Sequence, residues 1–187
     1  MSLLNEIMRA NEHFTTHLPV SYADKAAKLP NRHMAIVTCM DTRLVEFLEP
    51  ALGVSRGEAK IIKNAGNTVT GTFETTIRSL VISIFELGVK EILVIGHHDC
   101  GIAHATSKGL IEKMLKRGIA EEAIYMVKNE LERWIDDFHH PLQNIKQVVA
   151  NIRTNPLIPN DVAVHGLIFD PKTGKVDIVV NGYERHQ

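Results

Sequence analysis

Short apolar runs alternate with helical patterns along the first half of the chain. Apolar residues recur every three to four positions from 73 to 87, which predicts a helix, and Gly88 follows as a helix stop. Alternation of strand and helix favours an α/β domain with a mainly parallel β-sheet flanked by helices. The predicted strands around this helix are 34–38, 59–63 and 91–95.

The second half of the chain predicts further helices and a β-hairpin. Apolar runs at 162–169 and 176–180 flank a turn-forming segment at 170–174, which is the pattern of two antiparallel strands. The helical patterns are 107–117, 120–138 and a segment that begins at Pro141. Proline is tolerated in the first turn of a helix, because its missing N–H group would be unpaired there.

Residues 1–20 predict an amphipathic arm helix ahead of the sheet. Its apolar residues lie at roughly helical spacing, with charged residues between them. The pattern does not distinguish packing on the arm's own domain from packing on a partner subunit. The apolar residues are Leu4, Ile7, Met8 and Phe14.

Length and charge limit the classes of function. The 187 residues fit one domain, 1–187, that is large enough to bury a core. With 21 basic and 22 acidic residues the net charge is −1, which gives no electrostatic basis for binding nucleic acid or an anionic membrane surface. No apolar run approaches the ~20 residues that span a bilayer. The N-terminal residues lack the features of a secretory signal, so we expect a cytoplasmic protein.

Both cysteines of the chain follow predicted strands. Cys39 follows the first strand, and Cys100 closes an H-x-x-C pattern with His97 after the third. The carboxyl ends of parallel strands meet at one edge of a sheet, where open α/β sheets form their sites. Because zinc prefers thiolate and imidazole ligands, Cys39, His97 and Cys100 are predicted to bind one zinc ion and to leave a fourth position for water. A disulfide is the alternative, and a reducing compartment disfavours it.

Two charged residues accompany the first cysteine in the pattern C-x-D-x-R. A carboxylate beside a metal-bound water can accept its proton or orient it, and an arginine can fix that carboxylate through a bidentate pair. Asp41 and Arg43 are therefore the candidate catalytic residues. Asp99 is predicted to cap a helix that begins near Cys100.

Two other interpretations of these residues stay open. Asp41 as a permanent fourth zinc ligand would close the site and give a non-catalytic zinc protein. A pair of reversibly oxidised cysteines without metal would give a redox thiol protein.

With these motifs the chain resembles the β-class carbonic anhydrases, in particular their short bacterial and archaeal members. The likeness extends over nearly the whole chain and includes the closing hairpin, 164–174. The matching motifs are Cys39-Met40-Asp41-Thr42-Arg43, Asn64-Ala65-Gly66-Asn67 and Gly96-His97-His98-Asp99-Cys100-Gly101.

The resemblance implies a zinc enzyme that hydrates CO2 to bicarbonate with metal-bound hydroxide. It assigns the zinc to the three ligands above and implies that Asp41 and Arg43 act as a pair. It also implies a C-terminal antiparallel edge strand and a homodimer, or an assembly of dimers, in which the N-terminal arm crosses to the partner. Residues near Asn64, Gly66 and Gly101 would shape the substrate pocket.

The resemblance also carries alternatives and departures. Short relatives include enzymes that hydrolyse carbonyl sulfide or carbon disulfide, so these are alternative substrates. Family members with an inhibitory bicarbonate pocket carry tryptophan at the position of Ile36, so that pocket is not predicted here. His98 replaces a small hydroxyl residue that commonly follows the ligand histidine.

Overall fold

The computed structural model describes residues 2–19, 22, 28–138 and 140–184. Among these residues, five strands form one sheet and six α-helices surround it or extend from it. The strands are β1 (Met34–Cys39), β2 (Ala59–Asn64), β3 (Glu91–His97), β4 (Ala163–Phe169) and β5 (Val176–Val180). The helices are α1 (Leu3–Thr16), α2 (Leu48–Ala51), α3 (Thr75–Phe85), α4 (Ser107–Lys116), α5 (Glu121–Asp136) and α6 (Pro141–Arg153).

The sheet has the order β2-β1-β3-β4-β5. The first four strands in this order are parallel, and β5 pairs antiparallel with β4 at the edge. This confirms the predicted α/β class, the parallel sheet and the C-terminal antiparallel edge strand. From β1 the chain crosses to β2 on one side and then to β3 on the other. The carboxyl ends of β1 and β3 therefore flank the point where the strand order reverses, which is where α/β sheets place their sites.

The buried side chains of β1 alternate between two apolar clusters. Ala35 and Val37 belong to a cluster that includes residues of α3 and α6. Ile36 belongs to a second cluster, which also contains Cys39 and Cys100. Successive side chains of a strand point to opposite faces, so the two clusters lie on opposite sides of the sheet. Cys39 ends the strand and departs from this alternation, because it belongs with Cys100 to the cluster of Ile36.

Predicted and observed helices differ at their ends. The helix predicted over 73–87 is α3, and it begins at Thr75 because the Glu74 carboxylate accepts hydrogen bonds from the backbone N–H groups of Thr76 and Ile77. Such a side-chain cap stabilises a helix start by about 1 kcal/mol.

Within the described part of the chain, no helix combines the length and apolar character needed to span a membrane.

The predicted arm helix is α1, and it is shorter than the 1–20 expected. Met1 and Val20 lie outside the described residues. None of the α1 residues is buried, and Leu3, Leu4 and Ile7 are 71%, 66% and 54% exposed. The arm therefore does not pack its apolar side on its own domain.

His165 on β4 is a buried histidine far along the sheet from the cysteines. Its Nδ1 accepts a hydrogen bond of 3.0 Å from the Gly182 N–H group, so the neutral ring carries its proton on Nε2. Burial lowers the pKa of His165 below its ordinary value, and Arg153 acts in the same direction. The Glu91 carboxylate, 3.5 Å from Nε2, opposes this shift, and the Tyr183 ring packs edge-on against the imidazole. The fold therefore favours the neutral form of His165.

We expect the stability of the protein to decrease as the pH falls below about 6.5, the ordinary histidine pKa. The pKa of His165 is lower in the folded state, so the unfolded chain binds the proton more tightly and gains in stability over this range. Urea unfolding at about pH 7.5 and about pH 5.5 measures the effect, and His165→Asn should reduce the difference between the two midpoints. The exposed His13, replaced by Gln, is the control. An unchanged pH dependence in the His165 variant would contradict the assignment.

Candidate metal centre

The two strand ends bring the predicted ligands together. Cys39 is the last residue of β1, His97 is the last residue of β3, and Cys100 follows after a two-residue turn. One ligand atom from each lies within 4.8 Å of the others, and all three side chains are buried. The two sulfur atoms are 3.8 Å apart. Two sulfurs bound at ~2.3 Å to a tetrahedral zinc ion are also about 3.8 Å apart, so the cluster has the dimensions of a zinc site.

The His97 ring is oriented as a ligand. Its Nδ1 lies 2.9 Å from the backbone carbonyl oxygen of His98. A carbonyl only accepts hydrogen bonds, so Nδ1 carries the proton and Nε2 of the neutral ring presents a lone pair. Nε2 is buried and has no hydrogen-bond partner among the described residues. A metal-binding histidine typically fixes its tautomer in this way, so the buried nitrogen fits a cation.

The surroundings of the cysteine pair favour a thiolate at Cys39. A hydrogen bond from the Cys100 thiol lowers the pKa of Cys39, and His97 and the Gly66 N–H group lower it further, against the opposing effect of burial. The pKa of Cys100 is raised because a Cys39 thiolate lies beside it. These opposite shifts favour one thiolate beside one thiol that keeps its proton. A divalent cation would replace that proton and stabilise both thiolates.

Asp41 is held beside the cluster by Arg43. Asp41 Oδ1 accepts hydrogen bonds from Arg43 N at 2.9 Å and Nε at 3.0 Å, and Oδ2 accepts one from Arg43 NH2 at 2.8 Å. These bonds lower the pKa of Asp41 to about 2. Asp41 Oδ2 lies 3.8 Å from the unpaired Nε2 of His97. An ionised carboxylate therefore borders the ligand cluster, with both of its oxygens engaged by one arginine.

Arg43 has a second anionic partner that the sequence did not reveal. Its NH1 donates to Asp99 Oδ2 at 3.0 Å, and its NH2 donates to the Asp99 carbonyl oxygen at 2.7 Å. Asp99 was predicted to cap a helix, but a short 3₁₀ turn, Gly101–His104, follows with Cys100 at its start. Arg43 thus joins the turn after β3 to the turn after β1 and fixes the two halves of the site relative to each other.

The three residues expected near a substrate pocket have different surroundings. Gly66 packs against Ile102 and Phe138, which belong to the apolar cluster of Cys39 and Cys100. The Asn64 amide is used elsewhere, because it bonds Thr68 at both its nitrogen and its oxygen and its nitrogen also donates to Thr76 Oγ1 on α3. Gly101 has open space beside its Cα. The structure brings Gly66 to the cluster, and a pocket role for the three residues stays a prediction.

Gly66 occupies a position that only glycine fits. Its φ is +73°, and an added Cβ would lie 2.9 Å from Ile102 Cγ2 and 3.1 Å from Phe138 Cε2. We expect Gly66→Ala to lower the free energy of unfolding by about 2–4 kcal/mol, through backbone strain and overpacking together. Gly118→Ala is the matched control, because Gly118 has φ +82° but no atom within 4 Å of an added Cβ. Urea unfolding compares the two, and equal losses would show that the contacts with Ile102 and Phe138 do not matter.

Fold and site together define an α/β domain with a Cys-His-Cys cluster at the switch point of its sheet. Comparison with known proteins then shows that the chain belongs to the carbonic anhydrase family, whose sequence model matches residues 34–176. The chain is 35% identical to Beta-carbonic anhydrase 1 of Mycobacterium tuberculosis over 150 residues, which cover 80% of this chain and 83% of that protein. The predicted membership of the β class is therefore confirmed.

A solved structure agrees over the full length. The crystal structure of a beta-carbonic anhydrase isoform I from Trichomonas vaginalis superposes with a TM-score of 0.93 at 49% identity, covering 98% of this chain and 100% of that one. More distantly, the chain is 28% identical to a carbon disulfide hydrolase of Acidianus over 161 residues, covering 78% of this chain and 76% of that protein.

Proposed function

We propose that this protein hydrates CO2 reversibly to bicarbonate at a zinc ion held by Cys39, His97 and Cys100. The observation that carries the proposal is the convergence of three buried ligand atoms within 4.8 Å beside a carboxylate that is held by its own arginine. Two thiolates and an imidazole favour zinc over harder cations such as magnesium or calcium. When bound, zinc lowers the pKa of a coordinated water toward ~7 and so makes hydroxide available as a nucleophile.

Asp41 acts as an orienting acceptor in this proposal. A carboxyl group with a pKa of about 2 is a weak base near neutral pH, so it is poorly suited to store a proton during turnover. Its Oδ2, the oxygen closer to His97, accepts a hydrogen bond from the nucleophilic water and aims the oxygen lone pair at carbon. Arg43 keeps the carboxylate ionised and fixed in direction.

The geometry also bears on the closed-site alternative. A zinc ion bound by Asp41 would compete with the Arg43 guanidinium group for the negative charge of this carboxylate. Each oxygen of Asp41 accepts a bond of 3.0 Å or less from that guanidinium group. The observed pairing therefore supports an open fourth position over a non-catalytic site.

A second candidate reaction is the hydrolysis of carbon disulfide or carbonyl sulfide. The likeness to a carbon disulfide hydrolase of Acidianus is the observation that favours it. Both substrates are small, linear and apolar like CO2, and the same nucleophile would attack their carbon atom. Release of sulfide would distinguish this chemistry from CO2 hydration.

Stopped-flow CO2 hydration, with zinc content determined on the same sample, tests the proposal. We expect fast turnover at about one zinc ion per chain between about pH 6.5 and about pH 9, since the nucleophile forms near neutral pH. Zinc-loaded protein that hydrates CO2 no faster than buffer would contradict the proposal. Sulfide release from carbon disulfide by that same sample would support the second candidate.

We also propose that two copies of the chain associate through α1. Its exposed residues Leu4 and Ile7 lie one turn apart, so they form one apolar side that the arm's own domain leaves uncovered. Replacing both with Glu is expected to shift the protein from dimer to monomer in light scattering. Glu12→Gln on the same helix is the control for a change of charge alone. A wild-type protein that is monomeric at micromolar concentration would contradict the proposal.

A cytoplasmic location is proposed on the basis of the cysteines. The two buried thiols are 3.8 Å apart and free, and a reducing compartment keeps such a pair available for metal. Fractionation of source cells that recovers the protein outside the cytoplasm would contradict this.

A further inference from the structure

The backbone pairing between β1 and β3 stops just before the predicted zinc ligands. Its last paired residues are Thr38 on β1 and Ile95 on β3. Cys39 follows Thr38 directly, and His97 lies two residues after Ile95. The ligands therefore lie just beyond the last pair of residues by which these two strands hold each other.

Beyond this pair, each of the two strands remains joined to its outer neighbour. Met40, which follows β1, donates its N–H group to the carbonyl oxygen of Asn64 on β2 at 2.9 Å. His98, which follows β3, donates its N–H group to the carbonyl oxygen of Phe169 on β4, also at 2.9 Å. The end of β1 thus follows β2, and the end of β3 follows β4, where the two central strands part. A movement between these two halves of the sheet would change the distance between Cys39 and the other ligands.

The Thr38 side chain adds a bond at the point where the strands part. Its Oγ1 donates a hydrogen bond to the Ile95 carbonyl oxygen at 2.9 Å, and the residue is fully buried. Such a bond is costly to leave unmade, because neither buried group can turn to water instead. The pleat of β1 does not place the next residue, since Cys39 departs from the alternation of the strand and lies in the cluster of Ile36. The hydroxyl bond therefore fixes β1 to β3 immediately before this departure.

We infer that Thr38 is a positioning residue, which fixes β1 against β3 through its hydroxyl group and so holds Cys39 in place for metal binding. The inference rests on the proposed zinc site of Cys39, His97 and Cys100. The sulfurs of Cys39 and Cys100 are 3.8 Å apart. A metal site needs its ligands held to within about 0.5 Å of the productive geometry. Without the hydroxyl bond, the end of β1 can move away from β3, and metal binding must draw it back at a cost in affinity.

Thr38→Val tests the inference, because valine has nearly the shape of threonine but no hydroxyl group. Residues that support a metal ligand contribute about 10- to 100-fold to affinity, and Thr38 acts through the backbone, so we expect a loss of about tenfold in zinc affinity. Competition with a chelator measures this loss. The ligand-field bands of the cobalt(II)-substituted protein should also change, because they report the arrangement of the ligands around the metal. A residue that only stabilises the fold would not move these bands.

Two further variants separate the hydroxyl group from its surroundings. Thr38→Ser keeps the donor and loses a methyl group, so its zinc affinity should stay within about threefold of the wild type, with an unchanged cobalt spectrum. Ser83→Ala removes another buried hydroxyl group, which bonds the Ser79 carbonyl oxygen at 2.8 Å within α3. It is the control for a loss of stability, which urea unfolding compares with that of Thr38→Val, and it should bind zinc like the wild type.

Three outcomes would overturn the inference. Thr38→Val with the zinc affinity and cobalt spectrum of the wild type would show that the hydroxyl group does not position the ligand. Equal losses in Thr38→Val and Thr38→Ser would show that the effect does not come from the hydroxyl group. A Ser83→Ala variant weakened as much as Thr38→Val would assign the effect to stability in general. None of these measurements needs turnover, so a wild-type protein that binds zinc but does not hydrate CO2 would count against the proposed function alone.

Discussion

His97→Ala is expected to lose both zinc and CO2 hydration. The substitution removes the buried Nε2 that faces the two sulfurs, and no other described side chain completes a group of three ligands there. Loss of a residue that hydrogen-bonds a metal ligand already weakens metal binding by about 10- to 100-fold. Loss of a ligand itself should therefore weaken zinc binding by more than about 100-fold. Cys39→Ala and Cys100→Ala should have the same effect. Zinc content after dialysis, together with stopped-flow rates, measures both consequences.

The adjacent histidine provides the control for this first prediction. His98 is exposed, and only its backbone carbonyl contacts the His97 ring. His98→Ala should therefore retain about one zinc ion per chain and most of the activity, since the carbonyl remains. A His97 variant that keeps zinc and turnover at the level of the His98 variant would remove His97 from the ligand set.

Asp41→Asn is expected to keep zinc but lose most turnover. Asparagine has nearly the same shape as aspartate but lacks its negative charge. With this charge Asp41 pairs with Arg43 and accepts a hydrogen bond from water. Positioned groups of this kind contribute about 10²- to 10⁴-fold to rate, and we expect kcat to fall within that range. Zinc affinity should change by only a few-fold, because Cys39, His97 and Cys100 remain and a catalytic zinc site needs no further protein ligand.

The pH dependence adds a second test of Asp41. Because Arg43 holds its pKa at about 2, the carboxylate is ionised at every pH above about 4. Its protonation is therefore not expected to cause a loss of activity between about pH 6 and about pH 9, and we expect a loss toward acid in that range to follow the ionisation of the nucleophile. The Asp41–Arg43 ion pair stabilises the folded state only at a pH where Asp41 is ionised. This stabilisation is complete above the unfolded aspartate pKa of about 3.9 and is lost as the pH falls through about 2.

Asp99→Asn is the matched control for Asp41→Asn. Asp99 also pairs with Arg43, but its side chain is 66% exposed and its carboxylate accepts from Nη1, whereas that of Asp41 accepts from Nε and Nη2. We expect its kcat to fall by less than about tenfold, since Asp41 still pairs with Arg43. Full activity in Asp41→Asn, or equal losses in the two variants, would contradict the special role of Asp41.

The strand ends show why the site could be predicted from sequence. Cys39 and His97 each follow an apolar run, and parallel strands bring such ends to one edge whatever the details of packing. Asp41 and Arg43 are two residues apart, so their pairing is local and follows from spacing. These features need only the period of a strand and the side-chain chemistry of a few neighbouring residues.

Contacts between distant parts of the chain could not be predicted in this way. Asp99 binds Arg43 across 56 positions, and Asn144 binds Gly66 across 78 positions. Neither pair has a periodic signal, because the partners meet only after the sheet and α6 have assembled. The exact start of α3 was also missed, because the Glu74 side chain caps it and a long glutamate is not a typical capping residue.

A crystal structure of the zinc-loaded protein at about pH 8, with the metal located by anomalous scattering, would identify the zinc ligands and show whether Asp41 is one of them. We expect one zinc ion bound by Cys39 Sγ, His97 Nε2 and Cys100 Sγ, with one position left to a non-protein ligand and Asp41 still paired with Arg43. A zinc ion bound by an Asp41 oxygen at that pH, or bound elsewhere in the molecule, would contradict it.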